Sequence, residues 1–428
     1  MIRVLLVLSG FVSVVNGVFE LGPEARGAVH AVGVALIAVG LATWFLVWRL
    51  GRPVAHPVRV MLALTVAIAA VRVWQYELLH TPAILAAVIL PLIVLLRVRK
   101  AKPRAVAGFT AVAVTIAALA VVTGAGAALA FWPCDFPPPT TSGLNQDQVS
   151  AEPAARPTGY LTATDGAKLA YFADVPTDPV ASLVFYHGSG ANSSAGYLGL
   201  GRELAAGYHV ATYLIDMRGH GDSDGLRGDA PNQQQMFRDT QTAVDFVKRQ
   251  LPQVPEFAGG HSAGAGLVLN SASRIDGEVA GYAFLAPDFG LRSGTEQQAD
   301  ASNFATVCQR PLIADVVTNG LVDAHKPAVG FAYTADQIGR DGLVDRYTPT
   351  MAIAQDPSDA ATVLGRTGKP VGVWIGSADE VFNPAKVLAY ARNAPDVTTA
   401  EIPGADHLGV VDKSASALGT WLDRQARH

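Results

Sequence analysis

The sequence predicts an α/β fold, a mainly parallel sheet covered by helices on both faces, preceded by an α-helical transmembrane domain of about five spans. Three observations predict it. Uncharged apolar runs crowd the first ~130 residues, at lengths suited to bilayer helices. From residue 159 onward, short continuous apolar runs alternate with amphipathic helical patterns, as a sheet buried on both faces requires. Loops rich in glycine, histidine and aspartate follow those apolar runs, where such sheets carry their active sites.

At 428 residues the chain has room for two domains, and its formal net charge of −4 implies no nucleic-acid partner. Its two cysteines, Cys134 and Cys308, lack C-x-x-C spacing and a nearby histidine pair, so no metal site is expected. If the globular part lies outside the cytoplasm, a disulfide between them is allowed.

Residues 1–132 are read as the membrane domain, with candidate spans at roughly 2–19, 28–49, 57–76, 81–97 and 105–131. The second and fifth are the best defined, because 29–47 and 105–132 carry no charged residue. In the third, only 60–71 is free of charge, and Arg59 and Arg72 must snorkel to the interfaces. The fourth is short and contains Pro91, which neighbouring helices can accommodate. The first is read as a retained helix, since no small-x-small cleavage site follows it.

Basic residues set the orientation. Arg97, Arg99, Lys100, Lys102 and Arg104 separate the last two spans, and Arg49, Arg52 and Arg59 separate the second and third. Both connections are therefore cytoplasmic, and the chain leaves the fifth span on the outer face beside Trp132. The protein is expected in the cell membrane, multi-pass, with its globular half extracytoplasmic. Residues 133–158, with six prolines, read as a Pro-rich linker that leaves the pose of that half unfixed.

The globular domain spans 159–428. A hairpin is expected at 160–174 around Thr164-Asp165-Gly166, then strands at 182–186, 209–215, 256–259, 279–285, 371–375 and 398–402. Helices are expected near 195–206, 233–250, 267–270 and over 415–427.

Gly260-His261-Ser262-Ala263-Gly264 matches G-x-S-x-G between a strand and a helix. So tight a turn needs Gly260 and Gly264 for steric room, and it lifts the Ser262 hydroxyl out at the strand end. A serine hydroxyl needs a base, and His407, in the loop after the last strand, is the candidate. A carboxylate must fix that histidine's tautomer. Asp379, after the next-to-last strand, is assigned this role, with Asp288 as the alternative acid position. Glu380 is a weaker rival, and Asp406 is read as serving its own loop. His187-Gly188-Ser189-Gly190, after the first long parallel strand, has the composition of an oxyanion turn. The backbone N–H groups of Ser189 and Ala263 are the expected donors, with His187, Gly188, Gly260 and Gly264 as support.

Together these pieces resemble the α/β-hydrolase superfamily, specifically its monoglyceride lipase, lysophospholipase and serine aminopeptidase-like branch. The nearest marker is Asp216-Met217-Arg218-Gly219-His220-Gly221-Asp222-Ser223-Asp224-Gly225, which looks like that branch's D-x-R-G-H-G-x-S-x-G loop. The resemblance covers about 160–427 and maps the family's serine, acid and histidine onto Ser262, Asp379 and His407. It implies that Asp216, Arg218 and His220 hold their loop near the oxyanion turn, and that the insert 288–368 is a lid.

The implied activity is hydrolysis of carboxylic esters, lipid-derived ones such as monoacylglycerols or lysophospholipids, through an acyl-enzyme on Ser262. The implied partners are a small-molecule or lipid ester and the bilayer, with no cofactor and no metal. A serine amidase or peptidase using the same triad is the alternative, and a non-catalytic membrane sensor the third reading. Oligomeric state is not legible.

Overall fold

Strand positions follow the apolar runs. The computed structural model describes residues 136, 144, 152, 154–297, 304–318, 320 and 323–427. The expected membrane spans, their basic connections and the outward exit all lie outside the described residues. Among the described residues, no helix is long and apolar enough to cross a membrane.

Along the chain the strands are β1 (Gly159–Thr162), β2 (Lys168–Asp174), β3 (Ala181–Tyr186), β4 (Val210–Ile215), β5 (Glu256–His261) and β6 (Gly281–Leu285). Next come β7 (Ala305–Val307), β8 (Val329–Phe331), β9 (Arg346–Tyr347), β10 (Val371–Gly376) and β11 (Val397–Ile402). Helices α1 (Leu198–Tyr208), α2 (Gln233–Gln250) and α3 (Ala263–Ile275) connect the early strands. The insert holds α4 (Gln309–Thr318), α5 (Ala335–Asp341), α6 (Pro349–Gln355) and α7 (Ala360–Arg366). Helices α8 (Pro384–Ala391), α9 (Gly409–Lys413) and α10 (Ala415–Ala426) complete the order.

The main sheet has eight strands in the order β1-β2-β4-β3-β5-β6-β10-β11. Only β2 runs against it, pairing antiparallel with β1 on one side and β4 on the other. Strands β3, β4, β5, β6 and β10 are buried at every position, which is why their sequences lack alternation. The edge strand β11 is mostly half-buried. Under the sheet, the Trp421 ring of α10 meets Trp374 at 5.7 Å and Phe257 at 5.6 Å. Each large side chain removed from water in this way contributes roughly 1.5–3 kcal/mol.

The structure departs from sequence expectation in three places. His209, expected to open a strand, instead closes α1 with φ 55°, its N–H bonded to the Leu204 carbonyl. The left-handed residue turns the chain back so that β4 starts at Val210. Within the insert 288–368, where no strand is expected from sequence, β7, β8 and β9 form a separate antiparallel sheet. Finally, parts of the Pro-rich segment touch the hydrolase body. Leu144 joins its core, Glu152 pairs with Arg202, and the Phe136 ring lies under the Arg346 guanidinium at 5.5 Å. Phe136 also covers Gly330, where a Cβ would come within 2.5 Å of the ring. Phe136 and Leu144 give that segment apolar side chains to bury, which its prolines obscure in a reading by composition.

Candidate active site

The nucleophile position is built by β5 and α3. Ser262 links them at φ 54°, ψ −123°, a region that non-glycine residues rarely occupy. Bonds hold it there: its N–H donates to the Leu285 carbonyl at 3.0 Å, and its carbonyl accepts from Ala265 N–H at 3.0 Å and Asp288 N–H at 3.1 Å. The flanking glycines are steric necessities. A Cβ on Gly260 would stand 2.4 Å from the Gly264 carbonyl carbon, and one on Gly264 would stand 2.4 Å from the His187 carbonyl oxygen.

Ser262, His407 and Asp379, from three separate strand ends, are brought into one hydrogen-bonded chain. His407 Nε2 is 3.1 Å from Ser262 Oγ, and His407 Nδ1 is 2.8 Å from Asp379 Oδ2. A carboxylate accepts only, so Nδ1 carries the proton and Nε2 is left as the acceptor facing the hydroxyl. The other carboxylate oxygen of Asp379 accepts from the N–H groups of Val381 (2.9 Å) and Phe382 (2.7 Å), which fixes its orientation. All three side chains are buried. Burial works against charge on His407, but the Asp379 carboxylate outweighs it and holds the imidazole pKa above its ordinary value.

The rival acids have other partners. Asp288 Oδ1 accepts from Gly290 N–H at 2.8 Å, and burial, with Asp356 nearby, pushes its pKa up to about 7. Glu380 does reach the histidine, but at its backbone: Oε2 accepts from His407 N–H at 2.9 Å. Asp406 Oδ1 accepts from Gly409 N–H at the start of α9.

His187-Gly188-Ser189-Gly190 leaves β3 and passes against the elbow, where a Cβ on Gly188 would sit 3.4 Å from Ser262 Cβ. The N–H groups of Gly188 and Gly190 are already taken, by the hydroxyls of Tyr197 and Tyr347. Ser189 N–H, between them, has no acceptor among the described residues. Ala263 N–H, in the first turn of α3, has no intrahelical acceptor either. Sequence reasoning missed Tyr197 and Tyr347. Tyr347 lies 157 residues from its partner, and no local pattern marks it.

The marker loop contacts neighbours rather than Ser262. Asp216 accepts from Ser193 N–H (2.7 Å) and Asp222 N–H (3.0 Å), and Arg218 forms a two-pronged pair with buried Asp239 at 2.8 and 2.9 Å. Among the described residues, no group of three or more histidine, cysteine or acidic side chains is placed to hold a metal ion.

Residues 177–414, more than half of the chain, match the family model described as serine aminopeptidase, S33. The chain belongs to that family. Monoacylglycerol lipase of Mycolicibacterium smegmatis is 29% identical over 247 residues, covering 56% of this chain and 86% of that protein. Human monoglyceride lipase is 31% identical over 254 residues, covering 58% and 82%. A solved soluble variant of monoglyceride lipase from Saccharomyces cerevisiae, bound to a substrate analogue, overlays with a TM-score of 0.49 at 18% identity, covering 63% of this chain and 95% of that one. This S33 family member is a monoglyceride-lipase-like α/β-hydrolase, and its activity is carboxylic ester hydrolysis.

Proposed function

We propose that this hydrolase is membrane-anchored and cleaves lipid-derived esters, monoacylglycerols or lysophospholipids, through an acyl-enzyme on Ser262. The observation that carries the reading is the chain Ser262 Oγ, His407 Nε2, His407 Nδ1, Asp379 Oδ2, with contacts of 3.1 and 2.8 Å. Neutral His407 takes the hydroxyl proton as Oγ attacks the acyl carbonyl. The Ser189 and Ala263 N–H groups receive the oxyanion, a contribution of about 3 kcal/mol per donor in related chemistry. His407 then gives its proton to the departing alcohol, and the Asp379 carboxylate stabilises the imidazolium in between. Water repeats the sequence to free the fatty acid.

In this reading residues 1–132 anchor the enzyme, 133–158 connect it, and 159–428 form the hydrolase outside the cytoplasm. Two observations support the placement. The basic residues of the N-terminal part sit between apolar runs in the positive-inside arrangement. Cys308 is disulfide-bonded, as proteins of oxidising compartments are. The sequence holds one other cysteine, Cys134, outside the described residues.

Purified full-length protein incubated with 1-monoacylglycerol, lysophosphatidylcholine and an aminoacyl anilide separates the substrate classes. Fatty acid release from either lipid, abolished by Ser262→Ala, is the expected outcome. Faster cleavage of the anilide would favour the amide-cleaving alternative. Protease digestion of intact cells tests the orientation: a globular half cut only after lysis would refute the outward placement.

A further inference from the structure

The turn bearing Ser189 is pinned on every side except at the Ser189 N–H itself. Gly188 N–H donates to Tyr197 Oη at 2.8 Å, and that hydroxyl lies 2.8 Å from His261 Nδ1. His261 Nε2 is 2.9 Å from the His407 carbonyl, an acceptor only, so Nε2 carries the proton and Nδ1 accepts from Tyr197. The same logic holds on the other flank. Gly190 N–H donates to Tyr347 Oη at 2.7 Å, Tyr347 Oη lies 2.7 Å from His220 Nε2, and His220 Nδ1 is 2.9 Å from the Arg218 carbonyl. Each tyrosine hydroxyl thus accepts from one glycine and donates to one histidine.

The carbonyls of Gly188 and Ser189 are also held. The Ser189 carbonyl accepts from Tyr333 Oη at 2.7 Å, and the Gly188 carbonyl faces His187 Nδ1 at 2.9 Å. His187 Nε2 in turn accepts from Met217 N–H, which places its proton on Nδ1. Burial keeps His220 and His261 well below the ordinary histidine pKa, consistent with the neutral tautomers the bonds require.

We propose that Tyr197 and Tyr347 are positioning residues for the oxyanion site: each, backed by a neutral histidine, fixes one neighbour of the Ser189 N–H so that this donor alone points free. Tyr347 and Tyr333 belong to the insert between β6 and β10, so seating of the insert sets the geometry of the turn. The inference rests on Ser189 acting as an oxyanion donor. Misplacing a reacting or stabilising group by about 1 Å costs on the order of a hundredfold in rate, without a matching change in substrate binding.

The test uses full-length enzyme with p-nitrophenyl butyrate as substrate and phenylboronic acid, whose tetrahedral adduct mimics the transition state. Tyr347→Phe and Tyr197→Phe should each lower kcat by roughly 10- to 100-fold, leave KM within about twofold, and weaken the boronate by the same factor as kcat. The wild-type protein supplies a measurement independent of variant folding. In amide hydrogen exchange, Gly188 and Gly190 N–H should be protected and Ser189 N–H should become protected only when boronate binds. Variants with wild-type kcat, or equal exchange at all three amides, would overturn the relay while leaving the site standing. A wild-type enzyme that hydrolyses no ester would overturn the reading of the site, and this proposal with it.

Discussion

Nε2 of His261 donates to the backbone carbonyl of His407 across 2.9 Å, so the residue before the nucleophile holds the loop that presents the base. The two rings also pack together, with centroids 4.8 Å apart and planes tilted by 45°. His261→Phe keeps the ring but strands two buried groups, the His407 carbonyl and the Tyr197 hydroxyl. With about 1–3 kcal/mol for each buried group left unsatisfied, urea denaturation should show a loss of roughly 2–6 kcal/mol. A loss below about 0.5 kcal/mol would mean that the loop is held by other contacts.

Gly264→Ala tests the elbow geometry. Its Cβ would meet the backbone oxygens of His187 and Tyr186 at 2.4 and 2.5 Å, and neither atom can withdraw without moving β3. The variant is expected to lose several kcal/mol, more than the ~1–3 kcal/mol typical of an overpacked core, or to fail to fold. A cooperative melt at the wild-type temperature would contradict this.

Much of this arrangement was legible in the sequence for a simple reason. Strands buried on both faces are mostly apolar, so 183–186, 257–259 and 371–375 announce themselves, and a turn as tight as the elbow demands glycines at 260 and 264. What stayed hidden depends on distance or size. Strands β7, β8 and β9 are two or three residues long, too short for any periodicity, and β7 is exposed. Tyr347 acts on Gly190 through folding alone. Asp379 and Asp288 both follow a strand end; the sequence favours Asp379, and in the fold it is Asp379 that meets His407 Nδ1, while Asp288 accepts from Gly290 N–H.

The pH–rate profile follows from the proton inventory of His407. Its pKa is raised, because Asp379 outweighs burial, and only the neutral imidazole can accept the serine proton. The acid limb of kcat/KM should therefore have its midpoint above 6.5, the ordinary histidine value, with activity lost as pH falls through it. Asp379→Asn should shift that limb downward and cut kcat by roughly 10⁴-fold. An acid limb unmoved by the substitution would detach Asp379 from the base.

Glu256, at the far end of β5 from Ser262, is a liability with a measurable sign. It is buried, neither carboxylate oxygen has a partner among the described residues, and burial pushes its pKa up to about 8 from 4.5. A folded-state pKa above the unfolded value means stability is fully present below pH 4.5 and lost as pH rises toward 8, because the unfolded chain ionises first. Glu256→Gln removes this dependence. Relative to wild type, the variant should gain on the order of 4 kcal/mol between pH 5 and pH 8.5 by urea denaturation. A pH-independent difference would show that the carboxyl is ionised in the fold.

The most direct test of the central claim is labelling with a fluorophosphonate probe followed by mass spectrometric mapping of the adduct. Ser262 should carry the label in folded wild-type protein, with none on Ser262→Ala and little on His407→Ala. Absence of label from active protein, or an adduct on another serine, would contradict the assignment of Ser262 as the nucleophile.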